Sequence, residues 1–149
     1  MNKFSTLVGM DVHARSITCT AVVVETGEHR SRKLSRSPKA GDVAAWLSQL
    51  PQPVYCAYES GCTGFELARG LRELGYACDV IAVSTLPKSP KNRQQKCDRL
   101  DSEMVLNAIA SAAPTHTTVF VPDEETEAAR DLARMHDDAK AAVKRAKQQ

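Results

Sequence analysis

Three residues, His13-Ala14-Arg15, constrain the start of this chain more than any other feature. They separate two strand-forming runs. One is the apolar stretch over residues 5–12, which contains Leu7-Val8-Gly9-Met10-Asp11-Val12. The other is the Thr- and Val-rich SITCTAVVV of residues 16–24. So short a link favours an antiparallel hairpin, because a parallel crossover needs a dozen or more residues. Glu25-Thr26-Gly27-Glu28 is a second turn signal. HRSRKLS, residues 29–35, then reads as a third, exposed strand whose charges protect a sheet edge. Three antiparallel strands therefore open the chain, with the carboxylate of Asp11 near the end of the first.

The pattern changes after residue 35. Val43, Ala44, Trp46, Leu47 and Leu50 sit at helical spacing between Pro38 and Pro51. PVYCAY, residues 53–58, reads as a fourth strand with Glu59 at its C-terminal end. The small-residue turn Ser60-Gly61-Cys62-Thr63-Gly64 leads into a helix over residues 63–74. Its apolar side carries Phe65, Leu67, Ala68, Leu71 and Leu74, and Gly75 follows it as a C′ residue. YACDVIAV, residues 76–83, is a fifth strand. Strand, helix, strand implies parallel pairing through a right-handed crossover. An antiparallel meander followed by a parallel βαβ unit is the pattern of a ribonuclease-H-like α/β fold, with a mixed five-stranded sheet and flanking helices. A plain doubly wound sheet lacks the opening meander.

Residues 84–97, STLPKSPKNRQQKC, have two prolines and no apolar periodicity, so they read as a loop. Lys88, Lys91, Arg93 and Lys96 stand there without an acidic residue, and Arg99 follows. They form either a solvated face or an electrostatic footprint for a phosphate backbone. The distinction matters because the whole chain, 149 residues with 20 Lys and Arg against 18 Asp and Glu, is only slightly basic. Any affinity for nucleic acid must come from local clusters.

Residues 98–112 read as a helix with Asp98 as N-cap. Asp101, Val105, Ala108 and Ala112 share a face, which places Asp101 on the buried side. Residues 114–122 are an extended linker or edge segment. A last helix begins near Asp123, where Glu124 and Glu125 suit its positive N-terminal end. Ala128, Leu132, Met135, Ala139, Ala142 and Ala146 run along it at near-heptad spacing, a weak Ala-rich seam fit for a helical hairpin or an interface. The organisation expected is a catalytic domain over residues 1–118. A helical connector over residues 119–149 follows, whose last turn carries no stop signal. Five cysteines without a CxxC pair exclude a zinc knuckle or a disulfide scaffold and read as reduced thiols. Neither a signal peptide nor an apolar run of about 18–20 residues is present, so a cytoplasmic protein away from membranes is expected.

Four carboxylates can be argued onto one spot. Phosphodiester chemistry with Mg²⁺ or Mn²⁺ takes hard oxygen ligands from several elements, and paired ions activate the attacking oxygen and stabilise the leaving one. The ribonuclease-H-like arrangement draws carboxylates from the first strand, the end of the fourth, and a later helix. Asp11, Glu59, Asp98 and Asp101 fall at those places in that order. Each has an ordinary alternative: a strand end, a surface residue before a turn, an N-cap, and a partner for Arg99 or Lys96. Together they are harder to dismiss, because Asp11 and Asp101 lie in apolar surroundings where an unpaired charge is costly, and four clustered carboxylates repel one another without a cation.

Gly9-Met10-Asp11-Val12-His13, Tyr58-Glu59-Ser60-Gly61 and Lys96-Cys97-Asp98-Arg99-Leu100-Asp101-Ser102 resemble the motifs of the DEDD transposases of bacterial insertion sequences, the IS-one-ten type. The resemblance covers residues 5–112, with Cys97 where Thr is frequent and Ser102 where Ala is frequent. It implies a RuvC-like N-terminal domain in which Asp11, Glu59, Asp98 and Asp101 are catalytic metal ligands for Mg²⁺ or Mn²⁺. It also implies DNA recombination, a guide RNA bridging donor and target, and a homodimer or higher oligomer, with the C-terminal helix as the interface. The basic positions Lys88, Lys91, Arg93, Lys96 and Arg99 would then contact nucleic acid. Family members continue into a domain that supplies a nucleophilic serine, so this stretch alone is not expected to complete recombination. The competing readings are a stand-alone Holliday-junction resolvase, a non-catalytic nucleic-acid-binding fragment that dimerises through residues 123–149, and half of an actin-like or sugar-kinase ATPase. The last lacks room for a second phosphate loop and lobe.

Overall fold

A computed structural model describes residues 3–86, 98–112 and 116–148. The hairpin forms as its short link requires. Strand β1 (Thr6–Val12) pairs antiparallel with β2 (Ser16–Val23), Asp11 opposite Thr18, and β2 pairs antiparallel with β3 (His29–Ser35). Strand β4 (Val54–Glu59) lies parallel to β1 on its other side, and β5 (Ala77–Ile81) lies parallel to β4. The strand order β3-β2-β1-β4-β5-β6 is the ribonuclease-H-like topology expected from the meander and the βαβ unit.

A sixth strand is the first correction. β6 (Thr118–Val119) falls within the segment read as a linker or edge, and it pairs antiparallel with β5. Two residues are too short a run to show a period of two in sequence.

Four α-helices and a short 3₁₀ helix (Val83–Thr85) complete the described residues, the α-helices being α1 (Ala40–Leu47), α2 (Glu66–Glu73), α3 (Asp98–Ala110) and α4 (Glu124–Lys147). The alternation of strand side chains sorts them into two layers. Val8, Met10, Cys56, Tyr58 and Val80 pack with Val43 and Leu47 of α1 and Ala68 and Leu71 of α2. Ala57 and Ile81 face the other way and pack with Val105 and Ala108 of α3. Helix α2 is shorter than residues 63–74, because Gly64 takes a left-handed φ of 67° and Phe65 is the N-cap. Leu74 is 53% exposed rather than packed. On α3 the buried residues are Ser102, Val105, Leu106 and Ala108. Asp101 is half-buried at the edge of that face, and Ala112 lies exposed beyond the helix end. Cys19, Cys56 and Cys78 are buried free thiols, and burial pushes Cys19 up to about 12, which makes it inert at neutral pH. Among the described residues no helix is long and apolar enough to cross a membrane. The basic positions Lys88, Lys91, Arg93 and Lys96 lie outside the described residues.

Gly9 fixes where α3 lies. A Cβ at this position would run into the backbone carbonyl oxygen of Ser102 and the backbone nitrogen of Leu106. Neither can rotate away, as a side chain could. The helix therefore rests directly on the backbone of β1, and the Ser102 hydroxyl meets the Thr20 hydroxyl at 2.8 Å in the buried seam. Gly9→Ala is expected to cost about 3 kcal/mol, the upper end of overpacking effects. The check is a lower midpoint in urea unfolding with an unchanged slope.

A second contact fixes α4. Arg69 Nη1 lies 2.6 Å from Glu127 Oε2 and donates to the Pro122 carbonyl at 2.9 Å. Glu127 Oε1 accepts from the Phe65 amide at 3.1 Å and abuts Gly64, where a Cβ would collide with it. Both side chains are 19% exposed. Asp123 caps the helix by accepting from the Thr126 amide at 2.7 Å. Glu127→Ala would leave a largely buried guanidinium without its carboxylate, at a cost of about 2 kcal/mol. Thermal unfolding measures the loss, and limited proteolysis at the base of α4 should accelerate.

Candidate metal site

The pleat decides what converges at the C-terminal ends of β1 and β4. Gly9 and Ala57 pair across these strands and face α3. Asp11 and Glu59 stand two residues further along, so they share that side of the sheet. Each is also one residue past the last paired positions, Met10 and Tyr58. Asp98 and Asp101 occupy the first turn of α3, three residues apart and hence on neighbouring positions of one helix flank. The helix held against Gly9 thus brings its acidic end to the strand end that carries Asp11.

Among the described residues, Asp11, His13 and Asp98 form a grouping whose candidate ligand atoms all lie within 4.8 Å of one another. His13 Nε2 is 2.8 Å from Asp11 Oδ2 and 4.0 Å from Asp98 Oδ1. Asp98 Oδ2 accepts from Lys33 Nζ at 2.7 Å. Glu59 and Asp101 do not belong to this grouping. Asp101 is nonetheless close enough for its charge to act on Asp11. Of the four carboxylates singled out in the sequence, three therefore meet within electrostatic reach, and Glu59 shares their side of the sheet by register. Arg99 is exposed on α3 and bonds Glu103 at 2.9 Å, so it does not serve Asp101.

Sequence reasoning passed over two of the groups present. His13 lies two residues after Asp11, and a period of two could have placed it on the same side. Lys33 was read only as an edge charge. Its role depends on register, because it pairs with Thr18, which in turn pairs with Asp11.

The two carboxylates of this grouping shift in opposite directions. Asp11 is 15% exposed, and burial raises its pKa. His13 opposes that rise, while the charges of Asp101 and Asp98 add to it. Asp98 is lowered, first by its hydrogen bond from Lys33. The Thr18 hydroxyl opposite Asp11 is buried without a hydrogen-bond partner among the described residues. A hydrated divalent cation fits this donor set: it would offset the raised Asp11, and its water would satisfy Thr18.

Comparison with known proteins agrees with the motifs. The family model of the DEDD transposases of the IS110 type, described as "Transposase", matches residues 8–149. The chain belongs to this transposase family. It is 40% identical over 147 residues to "Putative transposase y4qE" of Sinorhizobium fredii, covering 95% of this chain and 36% of that protein. It is 28% identical over 133 residues to "Transposase for insertion sequence element IS1533" of Leptospira borgpetersenii, covering 87% of this chain and 38% of that one. The chain thus spans little more than a third of the length of the curated relatives it matches. Among solved structures, the large terminase nuclease from thermophilic phage G20c aligns with a TM-score of 0.43 at 13% identity, covering 81% of this chain and 75% of that one. The catalytic core domain of BIV integrase aligns at 0.33 and 13% identity, covering 72% and 84%. Strand order and register, rather than these likenesses, carry the fold assignment.

The raised pKa of Asp11 has a signed consequence. A carboxylate whose folded pKa exceeds its unfolded one favours folding when protonated, and that contribution is lost as pH rises through the folded value. At neutral pH and without divalent ions, Asp11 therefore opposes folding. Asp11→Asn should raise the melting temperature at pH 7. The gain should vanish as the pH falls below the ordinary carboxylate range, where the wild-type group is protonated too. Melting curves in chelator across pH check both halves.

Proposed function

We propose that this chain carries the metal-dependent, phosphodiester-acting portion of an insertion-sequence transposase. The observation that supports this most is the meeting of Asp11 from β1 and Asp98 from α3, with His13 between them, in a chain of the transposase family. Asp11, Glu59, Asp98 and Asp101 would hold Mg²⁺ or Mn²⁺. When bound, such an ion supplies Lewis acidity and charge neutralisation at a DNA phosphate. Oxygen donors suit both ions, and a ligating His13 would favour Mn²⁺ over Mg²⁺.

The chain's own residues do the positioning. β1 and α3 hold the carboxylates in fixed register through Gly9. Lys33 and His13 stabilise the cluster while no divalent ion is bound. Residues 1–118 serve as the RuvC-like catalytic domain and residues 119–149 as the helical connector. The exposed α4 seam of Ala128, Leu132, Met135, Ala139, Ala142 and Ala146 would join copies into a homodimer or higher oligomer. A guide RNA is the expected second nucleic-acid partner, and Lys88, Lys91, Arg93, Lys96 and Arg99 are the expected contacts to nucleic acid.

Metal binding tests the site without requiring recombination. Millimolar Mn²⁺ or Mg²⁺ should raise the melting temperature of the wild-type chain. The shift should disappear in Asp11→Asn and shrink in Asp98→Asn. A wild-type protein indifferent to both ions would overturn the assignment.

A further inference from the structure

The sequence HRSRKLSRSPK, residues 29–39, contains Arg30, Arg32, Lys33, Arg36 and Lys39 and no acidic residue, in a chain whose positive and negative charges nearly balance. The structure makes most of it the outer edge of the sheet. β3 is the first strand in the order, and six of its seven residues are exposed. Edge protection explains why charges stand there. It does not explain why they share one sign, since alternating signs would block strand pairing equally well and would attract one another.

Two further observations point this edge towards the carboxylate cluster. First, register sorts its side chains. Ser31, Lys33 and Ser35 pair with Thr20, Thr18 and Ser16 and face the α3 side, where Lys33 reaches Asp98. Arg32 alternates with them and points to the opposite side of the sheet. Second, the strand ends in two consecutive left-handed residues that are not glycine, Arg36 at φ 66° and Ser37 at φ 53°. Each costs about 1–2 kcal/mol, and such strain clusters at functional positions. It lets the Ser37 amide donate to the Arg15 carbonyl at 3.1 Å, which fastens Arg36 to the turn that carries His13 and Arg15. Among the described residues, neither Arg15 nor Arg36 has a carboxylate partner, whereas Lys33 is held on Asp98.

We infer that Arg15, Lys33 and Arg36 form a cradle for a DNA backbone, on the β3 side of the carboxylate cluster, that holds the strand whose phosphodiester lies over Asp11 and Asp98. The identity of the occupant as DNA rests on the transposase reading of the same site. The chemistry of the cradle does not: guanidinium groups without a carboxylate partner among the described residues, on the turn and strand end that adjoin Lys33's strand, suit phosphate oxygens. Lys33 is already within reach of the cluster and exchanges Asp98 for a phosphate oxygen when DNA arrives.

The test measures binding of a short fluorescent DNA duplex of arbitrary sequence, in chelator, across a salt series. Each phosphate contact contributes about 0.9 to the slope of log affinity against log salt. The Arg15→Gln/Lys33→Gln/Arg36→Gln variant should bind more weakly, with a slope shallower by about 2–3 units. The Arg15→Lys/Arg36→Lys variant, with Lys33 kept, should retain most of the slope, which separates lost charge from lost structure. Arg32→Gln removes the same charge from the other side of the sheet and should change the slope by less than Arg36→Gln. An unchanged slope in a folded triple variant would overturn the cradle. So would an Arg32→Gln effect as large as that of Arg36→Gln, or a loss confined to a matching RNA duplex. Because chelator is present throughout, these outcomes are independent of the metal shift: a wild type that shows no shift fails the metal site, whereas an unchanged slope fails the cradle.

Discussion

The site depends on one missing atom. With no Cβ on Gly9, α3 approaches β1 until helix backbone touches strand backbone. A helix seated on ordinary side chains would lie further away. Its first turn would then carry Asp98 and Asp101 away from the strand end, beyond the reach of Asp11 and His13. The Thr20–Ser102 hydroxyl pair marks the same closeness, because two short polar side chains meet only where backbones nearly do. Packing and chemistry are thus a single constraint: the residue that lets the helix dock is the one that brings its carboxylates to the strand.

This closeness has an electrostatic cost that the local sequence partly offsets. Burial and neighbouring carboxylates raise Asp11, so that carboxylate opposes folding at neutral pH, while Lys33 lowers Asp98. His13 and Lys33 reduce the cost. They do so from exposed positions, 56% and 55%, where solvent screens their effect. Such exposed side chains are easily displaced. A cluster stabilised by weakly held side chains can give them up without breaking the core, and an inward-facing buried lysine could not be given up so readily.

How much of this was legible in the sequence differs by residue. The hairpin was legible because a three-residue link leaves no alternative, and the parallel pair followed from the strand–helix–strand spacing. Asp11 and Asp98 were legible as members of motifs at strand and helix termini. Gly9 was visible as a motif letter without its cause, since a close approach between segments more than 90 residues apart has no local signature. Lys33 was invisible for the same reason: its neighbour Asp98 is reached only once β3, β2 and β1 are in register. The length of α2 was overestimated because apolar spacing continues through Phe65 and Leu74, while Gly64 at one end and exposure at the other override it. The two-residue β6 was legible only as an extended linker or edge segment, too short to be counted as a strand.

The last helix poses a problem that its own chemistry cannot solve. α4 runs for 24 residues, about 36 Å at 1.5 Å per residue, and buries none of them. Its good cap and terminal charges help, yet most helices gain their stability from packing an amphipathic face. Leu132 and Met135, each 68% exposed, and Val143 at 54% form such a face against nothing among the described residues. What is fixed is the base of the helix. Glu127 ties it to Arg69 and to the Phe65 amide, at the end of the turn that begins just after Glu59. The base of α4 is thus joined to the turn that follows Glu59 through one ion pair, one backbone hydrogen bond and the close approach at Gly64.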